Sequence, residues 1–188
     1  MIGRLRGVLV STREAGIVID VSGVGYEVAM TTRDLVSLPG IGEEIVVHTH
    51  TYVREDDISL YGFAAESERE LFRVLLTASG VGPKVAMALL ASLTADEIIR
   101  AITGEDPDAL TVASGVGKRG AQKIVLELGP KLAGRETDVV GGQSLGGVRQ
   151  ALEGLGYSTA EINAVVRDLD PDETIQEQIK SALQRLAK

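Results

Sequence analysis

Ala78-Ser79-Gly80-Val81-Gly82 and Ala113-Ser114-Gly115-Val116-Gly117 are the same five residues, set 35 positions apart. Basic residues follow both: Lys84 after the first copy, Lys118 and Arg119 after the second. Apolar stretches of helical period flank each copy. Leu71, Val74, Leu75 and Ala78 lead into the first, and Ala121, Ile124, Val125 and Leu128 lead away from the second. A Gly-x-Gly turn between two helices presents backbone N–H groups at a helix N-terminus, which suits an anion. A single such turn is ordinary helical-hairpin geometry. Two copies, each followed by cations, point to two phosphates gripped at a fixed separation. That is how nucleic acid is held by its backbone.

The helical grammar covers residues 66–133. Thr94 with Glu97 reads as a capping box before Ile98, Ile99 and Ile102, and Asp106-Pro107 opens the next helix. A pseudo-symmetric pair of helical hairpins follows from the repeat. Residues 115–120 also spell Gly-Val-Gly-Lys-Arg-Gly, a formal dinucleotide fingerprint, but a helical stretch precedes it where that motif needs a strand. A nucleotide-binding P-loop is excluded because Val112 stands in its first glycine position and Arg119, not Ser or Thr, follows Lys118.

Residues 1–63 have a different period. Met1–Val10, Gly16–Val21, Tyr26–Met30, Ile45–Val53 and Ile58–Phe63 read as strands, with Ser22-Gly23-Val24-Gly25 as a turn and a short helical turn over Thr32–Leu38. Five short strands interrupted once between the third and fourth fit a small barrel of the OB type. Its aromatic residues, Tyr26, Tyr52, Tyr61 and Phe63, are few for a single-strand binder that stacks bases, so the barrel reads as scaffold. Arg54-Glu55-Asp56-Asp57 forms a charged tip between the last two strands. His48 and His50 lie nearby, but adjacent acids on a tip without a third placed carboxylate do not make a metal site. Facing DNA, the same acids would repel phosphates and push strands apart.

Residues 134–147 have linker composition, with five glycines and no period. Beyond them a third helical unit is expected. Val148, Ala151, Leu152 and Leu155 form its first face, Ser158 and Glu161 cap its second helix, and Asp170-Pro171 starts its third. Tyr157, after the helix-ending glycines, reads equally as core or as an exposed anchor. A small tethered module of this kind serves to recruit a partner.

Composition narrows the class. The 188 residues are 44% hydrophobic, contain no cysteine and carry a net charge of −8. Disulfides, iron–sulfur clusters and thiolate zinc sites are excluded, and a reducing, cytoplasmic setting is expected. No run approaches the ~18–20 apolar residues of a membrane span, and no leader-like segment opens the chain. The acidic balance argues against coating nucleic acid by bulk attraction. Yet Lys118, Arg119 and Lys123 lie between Asp108 and Glu127 with no acid among them, a local patch on the second turn.

Nearly the whole chain resembles the RuvA family of Holliday-junction-binding subunits. The residues that carry the likeness are Met1-Ile2-Gly3-Arg4-Leu5-Arg6-Gly7, Gly23-Val24-Gly25-Tyr26-Glu27-Val28, Val53-Arg54-Glu55-Asp56, Leu60-Tyr61-Gly62-Phe63, both Gly-Val-Gly turns and Leu155-Gly156-Tyr157. The resemblance implies a multidomain α and β fold. Its parts would be an OB-fold β-barrel (1–63), a domain with two helix-hairpin-helix motifs (64–133), a linker (134–147) and a mobile three-helix, UBA-like domain (148–188). It also implies a flat tetramer, or two face to face, with one protomer per junction arm. By position, Gly80, Val81 and Gly82 with Lys84, and Gly115, Val116 and Gly117 with Lys118, Arg119 and Lys123, would contact minor-groove phosphates. Arg54 is counted with them. Glu55 and Asp56 would be the acidic pin at the junction centre. Leu152, Leu155 and Tyr157 would dock on the RuvB motor ATPase, and the RuvC resolvase is a further implied partner. No cofactor is implied. Two positions depart from the family pattern: Gly120 replaces a threonine, and Asp57 adds a third acid at the pin.

Two other classes stay in view. A helix-hairpin-helix glycosylase or nuclease would need a catalytic lysine or aspartate shortly after a hairpin, and no Asp follows the second turn until Asp138. A pure protein-interaction scaffold would use the hairpins as docking helices.

Overall fold

Apolar residues from all five strands meet in one barrel core: Leu5, Leu9, Ile17, Ile19, Val28, Met30, Ile45, Val47 and Leu60 are buried together. In the computed structural model, which describes residues 1–133, 148, 151–152, 154–166, 169 and 175–186, the strands are β1 (Arg4–Arg13), β2 (Gly16–Val21), β3 (Val24–Ala29), β4 (Glu44–Val53) and β5 (Ile58–Phe63). They close in the order β1-β2-β3-β5-β4. All pairings are antiparallel except β3 with β5, which touch in parallel at Ala29 and Tyr61. The first strand lies further along the chain than Met1–Val10, because a bulge between Leu9 and Ser11 lets β1 keep pairing as far as Arg13. The β2–β3 turn is also tighter than Ser22–Gly25: Val21 pairs with Val24, leaving Ser22 and Gly23 alone at the tip.

Helix α1 (Thr32–Val36) follows β3 in the chain and packs Leu35 against the barrel core. The Thr31 hydroxyl accepts from the Asp34 N–H and donates to the Asp34 carboxylate, and burial pushes the Asp34 carboxyl up. The helical part contains α2 (Glu66–Leu75), α3 (Pro83–Ser92), α4 (Ala95–Thr103), α5 (Pro107–Leu110) and α6 (Lys118–Leu132). The Thr94–Glu97 capping box forms as the sequence predicts, and Asp106 caps α5 with Pro107 at its first position.

The barrel and these helices belong to one compact unit, Met1–Lys131. Phe72 of α2, wholly buried, is the joint. Its ring lies 5.4 Å from His50, 5.3 Å from Tyr61 and 5.0 Å from Phe63, all on β4 and β5. Burial, followed by the charges of Arg73 and Arg69, holds the His50 imidazole below its ordinary pKa. Arg69 completes the joint by donating to the Gly3 carbonyl at 2.7 Å.

The second unit, Leu132–Lys188, is mainly helical among its described residues. Val148, Ala151, Leu152 and Gly154 are helical, followed by α7 (Thr159–Val166) and α8 (Ile175–Leu186). Val148, Leu152, Ile162, Val165, Val166, Leu169 and Ala182 form its core. Ser158 and Glu161 make the expected reciprocal cap. The linker 134–147 and the Asp170-Pro171 helix start lie outside the described residues.

Candidate nucleic-acid interface

The two glycine turns adopt the same conformation. Ala78 and Ala113 are buried, as are Val81 and Val116, so each turn is pinned to the core by its first and fourth residues. The Val81 N–H donates to the Ala78 carbonyl and the Val116 N–H to the Ala113 carbonyl, both at 3.1 Å. Gly80 has φ +85° and Gly115 φ +86°, a left-handed conformation that explains glycine at both. The valines therefore shape the turns from inside. What faces solvent is Gly80, Gly82 and Lys84 in one turn and Gly115, Gly117, Lys118 and Arg119 in the other.

The copies differ in what they offer an anion. Amides in the first turn of a helix have no intrahelical acceptor. In α3 Pro83 holds the first position and has no N–H, so Lys84 leads the donors. In α6 Lys118, Arg119 and Gly120 all present theirs. Gly120 is exposed, and a side chain there would meet nothing within 4 Å. The second turn thus has both more amides and more cations than the first.

A set of long-range contacts that spacing does not reveal locks the turns together. Glu127 of α6 accepts the Ser79 N–H through Oε2 at 2.7 Å, and its Oε1 lies 3.9 Å from Lys123 Nζ. Lys131 Nζ donates to Thr77 Oγ1 at 2.8 Å. The Ser79 amide, with help from the Ser79 hydroxyl and the two lysines, holds the Glu127 carboxyl below its ordinary pKa. Glu127 is the residue that sequence reading passes over. It looks like the acid that ends a basic patch, and only the fold shows it reaching the first turn.

The acidic tip is a four-residue turn closed by the Arg54 N–H on the Asp57 carbonyl at 2.8 Å, beyond the Val53–Ile58 pair. Glu55 and Asp56 are exposed. Asp57, the extra acid, turns back to accept from the Ser59 hydroxyl, so it serves the tip's shape. The Arg54 guanidinium lies over the Tyr52 ring, 5.3 Å from its centroid. Hydrogen bonding to Tyr52, then the charges of Tyr52, Asp56 and Tyr61, raises its pKa. Tip and first hairpin face each other across a cleft of about 340 Å³, walled by Tyr52, Arg54, Asp56 and Tyr61 on one side and by Gly82 and Lys84 on the other. Among the described residues no three of His, Asp, Glu or Cys gather closely enough to hold a metal ion. None of the described helices is long and apolar enough to cross a membrane.

In the second unit the three expected docking residues part company. Leu152 is wholly buried, Tyr157 packs half-buried against the core, and Leu155 is 61% exposed. The Tyr157 N–H donates to the Leu152 carbonyl around Gly156 at φ +92°, the helix-ending geometry that presents Leu155 outward.

The arrangement of a closed barrel, paired hairpins and a small helical unit is matched by known families. The model described as RuvA N terminal domain matches residues 1–62, the SAM-like Helix-hairpin-helix tandem matches 72–131, and the RuvA, C-terminal domain matches 145–187. The chain belongs to the RuvA family. A relative from Rubrobacter xylanophilus is 42% identical over 192 residues, covering 99% of this chain and 98% of its own. One from Methylibium petroleiphilum is 40% identical with both chains covered in full. A third, from Pseudomonas fluorescens, is 48% identical over 128 residues, 68% of this chain and 63% of its own. All three carry the name Holliday junction branch migration complex subunit RuvA. The family's N-terminal barrel, tandem hairpins and C-terminal module are the architecture expected from the sequence.

Proposed function

We propose that this chain binds four-way (Holliday) DNA junctions by shape, without reading sequence, and works as the non-catalytic DNA-holding subunit of a branch-migration complex in the cytoplasm. The observation that carries this reading is the identity of the two hairpin turns, locked side by side and both lined with cations, in the same unit as an exposed acidic tip. Contacts to phosphate position a duplex but carry almost no sequence information. Gly80, Val81 and Gly82 with Lys84, and Gly115, Val116 and Gly117 with Lys118, Arg119 and Lys123, would form one arm clamp, with Arg54 beside it. The valines would contribute by holding the turns in shape. Four protomers would clamp four arms and bring four copies of Glu55 and Asp56 to the crossover. Repulsion between those carboxylates and the phosphates would keep the junction open.

The division we propose is barrel 1–63, hairpin domain 64–133, linker 134–147 and motor-binding domain 148–188. Leu155 and the exposed edge of Tyr157, supported from below by Leu152, would engage the RuvB ATPase, which supplies hydrolysis and force. RuvC would act on the same junction.

A gel shift comparing a four-way junction with linear duplex of the same sequence tests the reading. Preference for the junction by at least tenfold is expected. Glu55→Gln with Asp56→Asn should keep or raise duplex affinity while narrowing that preference. Equal affinity of the unaltered protein for both DNAs would overturn the proposal, and cleavage or base removal would favour a repair enzyme instead.

A further inference from the structure

The cleft between the acidic tip and the first hairpin has walls unlike the rest of the interface. A duplex held by its backbone needs amides and cations, which the turns already supply. Here two tyrosines meet edge to face at 6.4 Å between ring centroids, and Tyr61 is backed by the buried Phe72 ring at 5.3 Å. That backing fixes the aromatic floor to the barrel–helix joint. The guanidinium of Arg54 lies over Tyr52 and Lys84 stands on the facing wall, so flat apolar surface and positive charge occur within one cavity, whose tip end is lined by the acids Asp56 and Asp57. At about 340 Å³ the cavity is at the small end of the ~300–1,000 Å³ typical of small-molecule sites. That volume is far too small for a duplex and is on the scale of a single small ligand such as one nucleotide unit. Aromatic rings and arginine planes accept any base by stacking, which suits a protein that ignores sequence.

We infer that this cleft takes one unstacked nucleotide of a DNA strand at the crossover, its base against the Tyr52–Arg54 face and its phosphate on Lys84. The inference rests on the junction-binding reading and adds a role to it. Carboxylates at the tip push strands apart, and a base that has lost its partner also loses stacking. A receptacle whose wall includes Asp56 of the tip restores that stacking and lowers the cost of opening the crossover. Tyr52 and Tyr61 then act as more than scaffold, although they are two of the few aromatics the chain has.

Photocrosslinking from 5-iododeoxyuridine tests this. The base is placed next to the crossover in one junction and deep within an arm in another, each bound by the full-length protein. Yield is measured per bound complex from the shifted band. For the crossover position, crosslinking to Tyr52 or Tyr61 is expected, with at least tenfold less from the arm position. Tyr52→Leu should reduce the crossover yield at least tenfold, while Tyr52→Phe, which keeps the ring, should retain it. Unchanged yield in Tyr52→Leu, or crosslinks mapping only to the hairpins, would overturn the inference while leaving junction binding standing. Absence of any junction-specific band would instead remove the reading on which it rests. Free deoxyadenosine monophosphate in millimolar excess is expected to leave the crosslink intact. Its loss under that competition would mean that the cleft takes free nucleotides rather than a DNA strand.

Discussion

Gly80 and Gly82 are two residues apart, yet substitution should affect them differently. An alanine at Gly80 must hold a left-handed φ, which costs about 1–2 kcal/mol, and Gly115 should behave alike. Gly82 has φ −93° and ψ 178°, and an added Cβ there meets nothing within 4 Å. Gly82→Ala should therefore cost less than about 1 kcal/mol, the scale of an altered N-cap. Its junction affinity should nevertheless fall, because the methyl group stands where a phosphate would approach. Urea unfolding and gel shifts on the two variants check this, and undiminished binding by Gly82→Ala would mean that phosphate does not approach that amide. At the second turn, Lys118→Ala with Arg119→Ala should weaken binding and flatten the log–log salt dependence by roughly 0.9 for each phosphate no longer neutralised. An unchanged slope would place the phosphates elsewhere. Gly120, by contrast, leaves room for a hydroxyl-bearing side chain without strain, so its departure from the family pattern removes a group and adds no distortion.

Elements are held in register by Glu127. The repeat in the sequence predicts two hairpins, and in the fold this carboxylate links them by reaching from α6 to the Ser79 amide. Its pKa is depressed in the folded protein. The stabilisation is therefore fully present above the ordinary glutamate value of about 4.3 and is lost as pH falls through the lower folded value. Glu127→Gln should lower the melting temperature at neutral pH, and the gap from the unaltered protein should narrow as pH falls below the ordinary glutamate value and close below the depressed folded one. A gap that persists in acid would show that shape, and not charge, makes this contact. The same substitution should reduce junction affinity, since in the proposed clamp both turns meet the duplex at a set spacing. Helices α3 and α5, by contrast, begin at Pro83 and Pro107 for a local reason, the preference of proline for the first helical position.

At the scale of the molecule, the proposed division of labour follows the two units. The hairpins, the tip and the barrel are parts of Met1–Lys131, and the exposed Leu155 belongs to Leu132–Lys188. Deleting residues 146–188 should spare junction binding and abolish migration driven by the motor ATPase. Retained migration in a strand-displacement assay would refute recruitment through this unit. The sequence by itself determined what depends on neighbours in the chain: the strand alternation around Leu5, Ile17 and Ile45, the Thr94 and Ser158 caps, the left-handed glycines and the repeat that contains them. Periodicity and capping act over three or four residues, so they are written in order. The tertiary structure alone decided that Asp57 folds onto Ser59, that Leu152 is core while Leu155 is exposed, and that Glu127 ties the hairpins together. It alone also set Tyr52 and Lys84 across one cleft. These contacts join residues on a crowded surface or distant in the chain, where several partners are chemically equivalent until packing selects one.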